Sequence, residues 1–146
     1  TTGSFKAFTT TMVTGTDGAP GSLQVAIDVQ TLDTGDKERD GLLRDKDLFD
    51  VKRFAEAKFT ATRFTSEAKG RYQALGKLTI RDVTRDVTLP FALTQTPGGG
   101  APSWLLAGEI VLNRLDYGVG QGEWRDTGMV GNAVTVKYSV KLTPVP

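Results

Sequence analysis

The 146-residue sequence predicts an all-β protein of the sandwich or barrel type, interrupted once by a charged helical stretch. Three observations predict it. Apolar residues recur on alternate positions in seven separate runs, so each run is an extended strand with one buried face. Turns rich in Gly, Pro and Asp, such as "DGAPG" and "TPGGGAP", punctuate those runs. Most links are of hairpin length, which favours antiparallel neighbours.

The first run covers residues 3–13. The second, Ser22 to Gln30, alternates most cleanly, with Leu23, Val25, Ile27 and Val29 on one face and Gln24, Ala26, Asp28 and Gln30 on the other. Further strands are expected near 57–65, 71–80, 86–95, 104–113 and 132–143. The stretch "RYQALGKLTIRDVTRDVTLPFAL", residues 71–93, reads as two of them joined by a five- or six-residue polar turn. The exception to the pattern is "DTGDKERDGLLRDKDLFDVKRFAEAKF", residues 33–59, where charges dominate and Leu42, Leu43, Leu48, Phe49 and Phe54 recur. Asp36 and Asp47 can each cap a short helix by accepting from backbone N–H groups two or three residues on. Two short helices are therefore expected, and their apolar residues either close one end of the core or form a lid over a cavity.

The length and the 38% apolar content suit one domain spanning residues 1–146 with a substantial core. Eighteen Lys and Arg against seventeen Asp and Glu leave a net charge of +1, which gives no electrostatic basis for binding nucleic acid or an acidic membrane surface. No apolar run approaches the length of a membrane-spanning helix, and the start at Thr1 rather than Met suggests a processed or trimmed chain.

The chain has no histidine and no cysteine, so no Ser-His-Asp or Cys-His arrangement exists and the usual imidazole and thiolate metal ligands are missing. Asp45, Asp47 and Asp50 lie close together but lack the spacing of a calcium loop and read as solvated or capping acids. The run Gly118, Gly120, Gly122 lacks the spacing and context of a dinucleotide loop and reads as a flexible turn. The expectation is a non-enzyme with no metal and no cofactor.

On the inferred inward faces stand Val25 and Ile27, then Leu78 and Ile80, then Leu89 and Phe91, then Ile110 and Leu112. The last run adds Val134, Val136 and Val140, while Ala74, Gly76 and Gly108 read as gaps. A small barrel is just wide enough to be filled by side chains or to hold one ligand, so these residues form either a packed core or the wall of an apolar cavity. Leu43 and Phe49 would face it from the helical stretch. Trp124 reads as a plug at a barrel end or a ligand platform, and Tyr138 as a core residue or a hydroxyl donor. Arg39, Asp40, Arg114, Asp116 and Tyr117 are the candidate polar contacts at the mouth, although Arg114 and Asp116, two apart, would also suit an ion pair shaping the turn.

Three segments in order, "RDGLLRDKDLFDVKRFAEAKF", "GKLTIRDVTRDVTLPF" and "LNRLDYGVGQGEW", with the terminal "NAVTVKYSVKL", resemble the YceI family of polyisoprenoid-binding proteins. The resemblance runs from about residue 3 to the end. It implies an extended lipocalin-like antiparallel barrel of about eight strands, an elongated apolar cavity and a bound isoprenoid or fatty-acyl lipid. It also implies an exported, periplasmic bacterial protein.

The chain departs from the family pattern at three places. It opens at "TTGSF", after the family's first strand; it has Gly41 and Leu42 where members often carry a histidine; and it has Asp82 and Asp86 in the segment of a Gly-Val-Thr-Lys-Pro-like turn. A missing strand would leave edges that recruit a second copy, so a homodimer is expected in that case. The wording "NRLDYGVGQGEW" resembles members linked to membrane cytochrome b561-type proteins. That resemblance implies an isoprenoid quinone as ligand, or an accessory role beside such a cytochrome.

Overall fold

The computed structural model describes residues 3–15, 19–96, 103–121, 124 and 131–143. Most of the "TPGGGAP" turn, the start of "DGAPG" and Gly122 lie outside the described residues. In chain order the strands are β1 (Ser4–Phe5), β2 (Phe8–Thr14), β3 (Pro20–Asp28), β4 (Leu32–Asp33), β5 (Glu56–Ala68), β6 (Arg71–Ile80), β7 (Val83–Thr96), β8 (Ser103–Asn113) and β9 (Ala133–Leu142). Helix α1 covers Lys37–Arg44, and single 3-10 turns cover Val29–Thr31 and Arg114–Tyr117. Seven strands form one antiparallel sheet in the order β2-β3-β5-β6-β7-β8-β9, and β1 pairs with β4 in a separate ribbon.

The all-β, barrel-type architecture expected from the alternation is present as a half-barrel: the sheet curls, and among the described residues the outer edges of β2 and β9 have no strand partner. Cross-strand pairing puts the alternating apolar residues on the concave side. Val25 lies opposite Phe59 and Phe59 opposite Leu78, while Ala74 lies opposite Leu89 and Tyr72 opposite Phe91. The parity survives one interruption. A bulge in β5 between Ala61 and Arg63 adds a residue, so the inward series changes from Ala57, Phe59 and Ala61 to Phe64.

Two local expectations are corrected. The turn between β6 and β7 is not five or six residues long but two, Arg81 and Asp82, because pairing continues to Ile80 opposite Val83. The first run is broken into β1 and β2, because the Lys6 and Ala7 amides both donate to Thr31 Oγ1, at 3.1 and 3.0 Å, and turn the chain toward the small ribbon.

The helical stretch is half as expected. Asp36 caps α1 through its carboxylate, which accepts from the Glu38 and Arg39 amides at 3.0 and 3.2 Å. No second helix starts at Asp47. Residues 46–53 are successive turns, organised by the Asp45 carbonyl, which accepts from Leu48 and Asp50 at 3.0 and 2.9 Å, and by Asp50 itself at a positive φ of 51°. Of the five apolar residues expected to close an end of the core, Leu43, Leu48 and Phe49 do so, Phe54 is half-buried under the Arg53 and Arg81 guanidinium groups, and Leu42 is 51% exposed on the outer side of α1.

A candidate ligand trough on the concave face

The concave face divides into a deep floor, two ends and two margins. Leu23, Phe59, Ala61, Ala74 and Leu106 are buried in its depth. One end carries an aromatic group in which Phe91 stacks on Tyr72 with centroids 5.5 Å apart and meets Phe64 edge-on at 6.2 Å. At the other end, below α1, Leu48, Tyr117 and Val119 are buried, with Leu43, Phe49 and Trp124 and the sheet residues Leu78, Ile80 and Val83 packed on them. From Tyr72 to Ile80 the trough measures roughly 26 Å, at about 3.3 Å per residue. Along both margins the inward side chains are only half covered or exposed, among them Phe8 on β2 and Val134 on β9.

The structure brings the apolar candidates together. Val25, Ile27, Leu78, Ile80, Leu89, Phe91, Ile110, Leu112, Val136 and Tyr138 share the concave side by register, and Leu43, Phe49 and Trp124 pack at its helical end. Phe91 belongs to the buried aromatic end rather than to an open wall. Trp124 takes the plug position, against Leu48, Tyr117 and Val119.

Two of the three gaps are occupied. At Gly108 a Cβ would collide with the Pro90 carbonyl and the Tyr138 ring, and Tyr138 uses this space to cross β8 and donate its hydroxyl to the Pro90 oxygen. Burial, with Glu109 adding to it, pushes the Tyr138 phenol up to about 12. At Gly76 the backbone of β5 takes the space. Open volume on the concave face therefore lies along the margins rather than over these glycines.

The polar candidates disperse. Asp40 Oδ1 accepts from the Thr34 amide at 2.9 Å and the Thr34 hydroxyl at 2.5 Å, while Arg39 donates to Thr34 Oγ1 and to the Thr34 carbonyl, each at 2.8 Å. Both side chains tie α1 to the end of β4. Tyr117 is buried in the helical end, and that burial raises its phenol above its ordinary value.

Arg114 does not build its turn by pairing with Asp116. Its guanidinium is buried and donates to the carbonyls of Val119 and Gly131, each at 3.0 Å. Gly120, at φ +125°, leaves that guanidinium its space, and Gly118, at φ +73°, caps the 3-10 turn, so these two glycines of the expected flexible turn take conformations that their neighbours require. Asp116 alone of the five is exposed, and its carbonyl accepts from Arg85 Nε at 2.6 Å.

Two residues escaped the sequence reading. Arg85 lies opposite Leu78, so alternation with Val83, Val87 and Leu89 already placed a cation on the apolar face. Arg81 carried no such signal. It sits in the β6–β7 turn at a positive φ of 57°, and its Nη1 donates to the carbonyls of Lys46, Leu48 and Gly118 at 3.1, 2.7 and 2.9 Å.

A separate open groove of about 410 Å³, lined by Lys6, Ala7, Phe8, Thr9, Ala26, Asp28, Gln30, Ala55 and Glu56, lies beside the β2–β3 margin. Ala26 and Thr9 oppose each other on the convex side, and charged residues rim the groove, which separates it chemically from the trough.

Comparison with known proteins agrees with this geometry. The profile of the YceI-like domain matches residues 1–142. A UPF0312 protein of Photorhabdus laumondii is 36% identical over 103 residues, covering 68% of this chain and 53% of that protein. The chain spans about half the length of the bacterial relatives it matches. The crystal structure of Burkholderia cenocepacia BcnA superposes with a TM-score of 0.87 at 31% identity, over 97% of this chain and 87% of that one. A polyisoprenoid binding domain from Saccharophagus degradans, at 16% identity, shares the fold with a TM-score of 0.71 over 97% of this chain and 85% of its own. With its whole concave sheet and helical end inside the matched segment, the chain belongs to the YceI-like domain family.

Proposed function

We propose that this domain binds a long-chain isoprenoid lipid, a polyisoprenoid or an isoprenoid quinone, along the concave trough and stores or carries it without catalysis. The observation that carries the reading is the set of incompletely covered apolar side chains on the concave face, interrupted by Thr10 on β2 and Arg85 on β7. Met12, Val25, Leu89 and Val136 face the trough half covered, with Phe8 and Val134 exposed beside them. Each buried CH₂ is worth about 0.8 kcal/mol, so a chain of several isoprene units laid along these margins gains well over 10 kcal/mol before ordering costs. The polyisoprenoid-binding neighbour from Saccharophagus supports the ligand class. The absence of histidine and cysteine supports a binding role over hydrolytic or thiol chemistry. An exported, periplasmic setting belongs to the same proposal and rests on the family resemblance. The outer edges of β2 and β9, without a strand partner among the described residues, support association of two copies, which sedimentation across a range of concentrations would reveal.

Native mass spectrometry of the purified domain, followed by organic extraction, tests the reading. A retained long-chain apolar molecule is expected, because an apolar surface gains nothing by exchanging lipid for water. Extracts without such a chain, together with failure to take up an added isoprenol, would overturn it. That result would turn attention to an accessory role beside a membrane cytochrome b561-type protein.

A further inference from the structure

We propose that Arg81 sets the chain-length limit of the trough by holding its helical end in place; this rests on the reading that the trough receives an apolar chain. The end wall comes from two segments far apart in sequence. Leu43, Leu48 and Phe49 lie on one and Tyr117, Val119 and Trp124 on the other, and all six pack in one cluster beneath Ile80 and Val83. A chain in the trough extends toward α1 only as far as this wall, so the wall's position decides which lengths fit.

One nitrogen binds the two segments to the sheet. Arg81 Nη1 reaches the Lys46 and Leu48 carbonyls from the first segment and the Gly118 carbonyl from the second. The Gln121 amide adds a direct link between them, donating to the Asp47 carbonyl at 2.6 Å. The guanidinium also stands over the Phe54 ring, 5.6 Å from its centroid, which fixes the following part of the first segment.

The backbone argues the same way. Arg81 occupies the left-handed region, where glycine or asparagine carries less strain than a long side chain. Its buried Nε has no hydrogen-bond partner. Both features disfavour arginine as a mere turn residue, and the three carbonyl contacts are what arginine contributes in return.

The test compares binding of a short and a long all-trans isoprenol, farnesol and solanesol, by the full 146-residue chain and its variants. Arg81→Asn suits the turn and removes the clamp; it should shift the long-to-short affinity ratio toward the long chain by about tenfold, the scale set by fit in an apolar pocket. Arg81→Lys, whose ammonium can still donate to clustered carbonyls, should recover part of the wild-type ratio. Val119→Ala, which deepens the end wall and leaves the clamp intact, should move the ratio in the same direction as Arg81→Asn.

A folded Arg81→Asn variant that weakens both ligands equally has lost only stability, and an unchanged ratio would overturn the inference. If Arg81→Asn does not fold, unchanged ratios in both Arg81→Lys and Val119→Ala would overturn it. A wild-type chain that binds neither isoprenol would instead overturn the lipid-binding reading itself.

Discussion

At the helical end of the trough Leu48 and Tyr117 are 4% and 2% exposed, while on its margins Phe8 and Val134, which face the same way, are 45% and 41% exposed. The two regions share a concave apolar surface and differ in what closes it. Below α1, carbonyls from separate loops converge on Arg81 and on Arg114, and these cations hold aromatic and aliphatic side chains over the sheet. Along β2 and β9 no comparable clasp covers the face among the described residues. The difference teaches that concave apolar surface here has two fates: in one region it is buried and stabilises the fold, and in the other it stays open, which is where the proposed ligand would lie.

The largest effect that can break this comparison is at Leu48. Leu48→Ala should destabilise the fold by about 3 kcal/mol, measured by denaturant unfolding, because a closed end cannot relax into the cavity. The corresponding change on the margin, Val134→Ala, should cost well under about 1 kcal/mol and show itself instead as reduced retention of lipid. Equal destabilisation by the two changes would erase the distinction between end and margin.

Ile27 tests the boundary between the regions, since it packs on the Val29, Leu32, Val51 and Ala57 cluster yet remains half-buried beside exposed Phe8. Ile27→Phe should lower retained lipid several-fold while thermal stability of the delipidated protein holds. An overpacking loss of about 1–3 kcal/mol with normal lipid content would move Ile27 into the packed region.

Tyr138→Phe removes the hydroxyl that reaches Pro90 across Gly108 and should cost about 1 kcal/mol in unfolding experiments. The same residue supplies a signed pH dependence. Its folded pKa lies above its ordinary value of 10, at about 12, so the phenol's contribution is intact below pH 10 and is lost as pH rises toward 12. Wild-type stability should fall across that interval, and the Phe variant should fall less.

The smallest expected effect is none at all. With no histidine, lipid affinity should be flat from pH 6 to 8. At the acid extreme, the hydrogen bond from Lys6 holds Asp33 below the usual carboxylate range, so that exposed pair weakens only as pH falls through the lowered value. A tenfold change in lipid affinity between pH 6 and 8 would point to a titrating group in the trough.

What the sequence by itself determined is the local and periodic part of the protein. Period-two alternation placed Val25, Leu78, Ile110 and Val136 on one face, because successive side chains in a strand point to opposite sides whatever the strand later pairs with. Asp36 announced α1 for the same kind of reason, since a cap acts on amides two and three residues away. Only the tertiary structure decided which of those inward residues are covered, and how. Arg81 and Arg114 look like surface cations in sequence, and each takes its role from carbonyls supplied by other segments once the chain has folded. Gly108 looks like empty space until Tyr138, thirty residues on, swings through it. Leu42 and Leu43 are neighbours of equal hydrophobicity, but helix geometry turns one outward and the other onto the trough's end. Burial of a cation, the filling of a gap and the position of an end wall are all set by partners distant in sequence, and local periodicity holds no information about them.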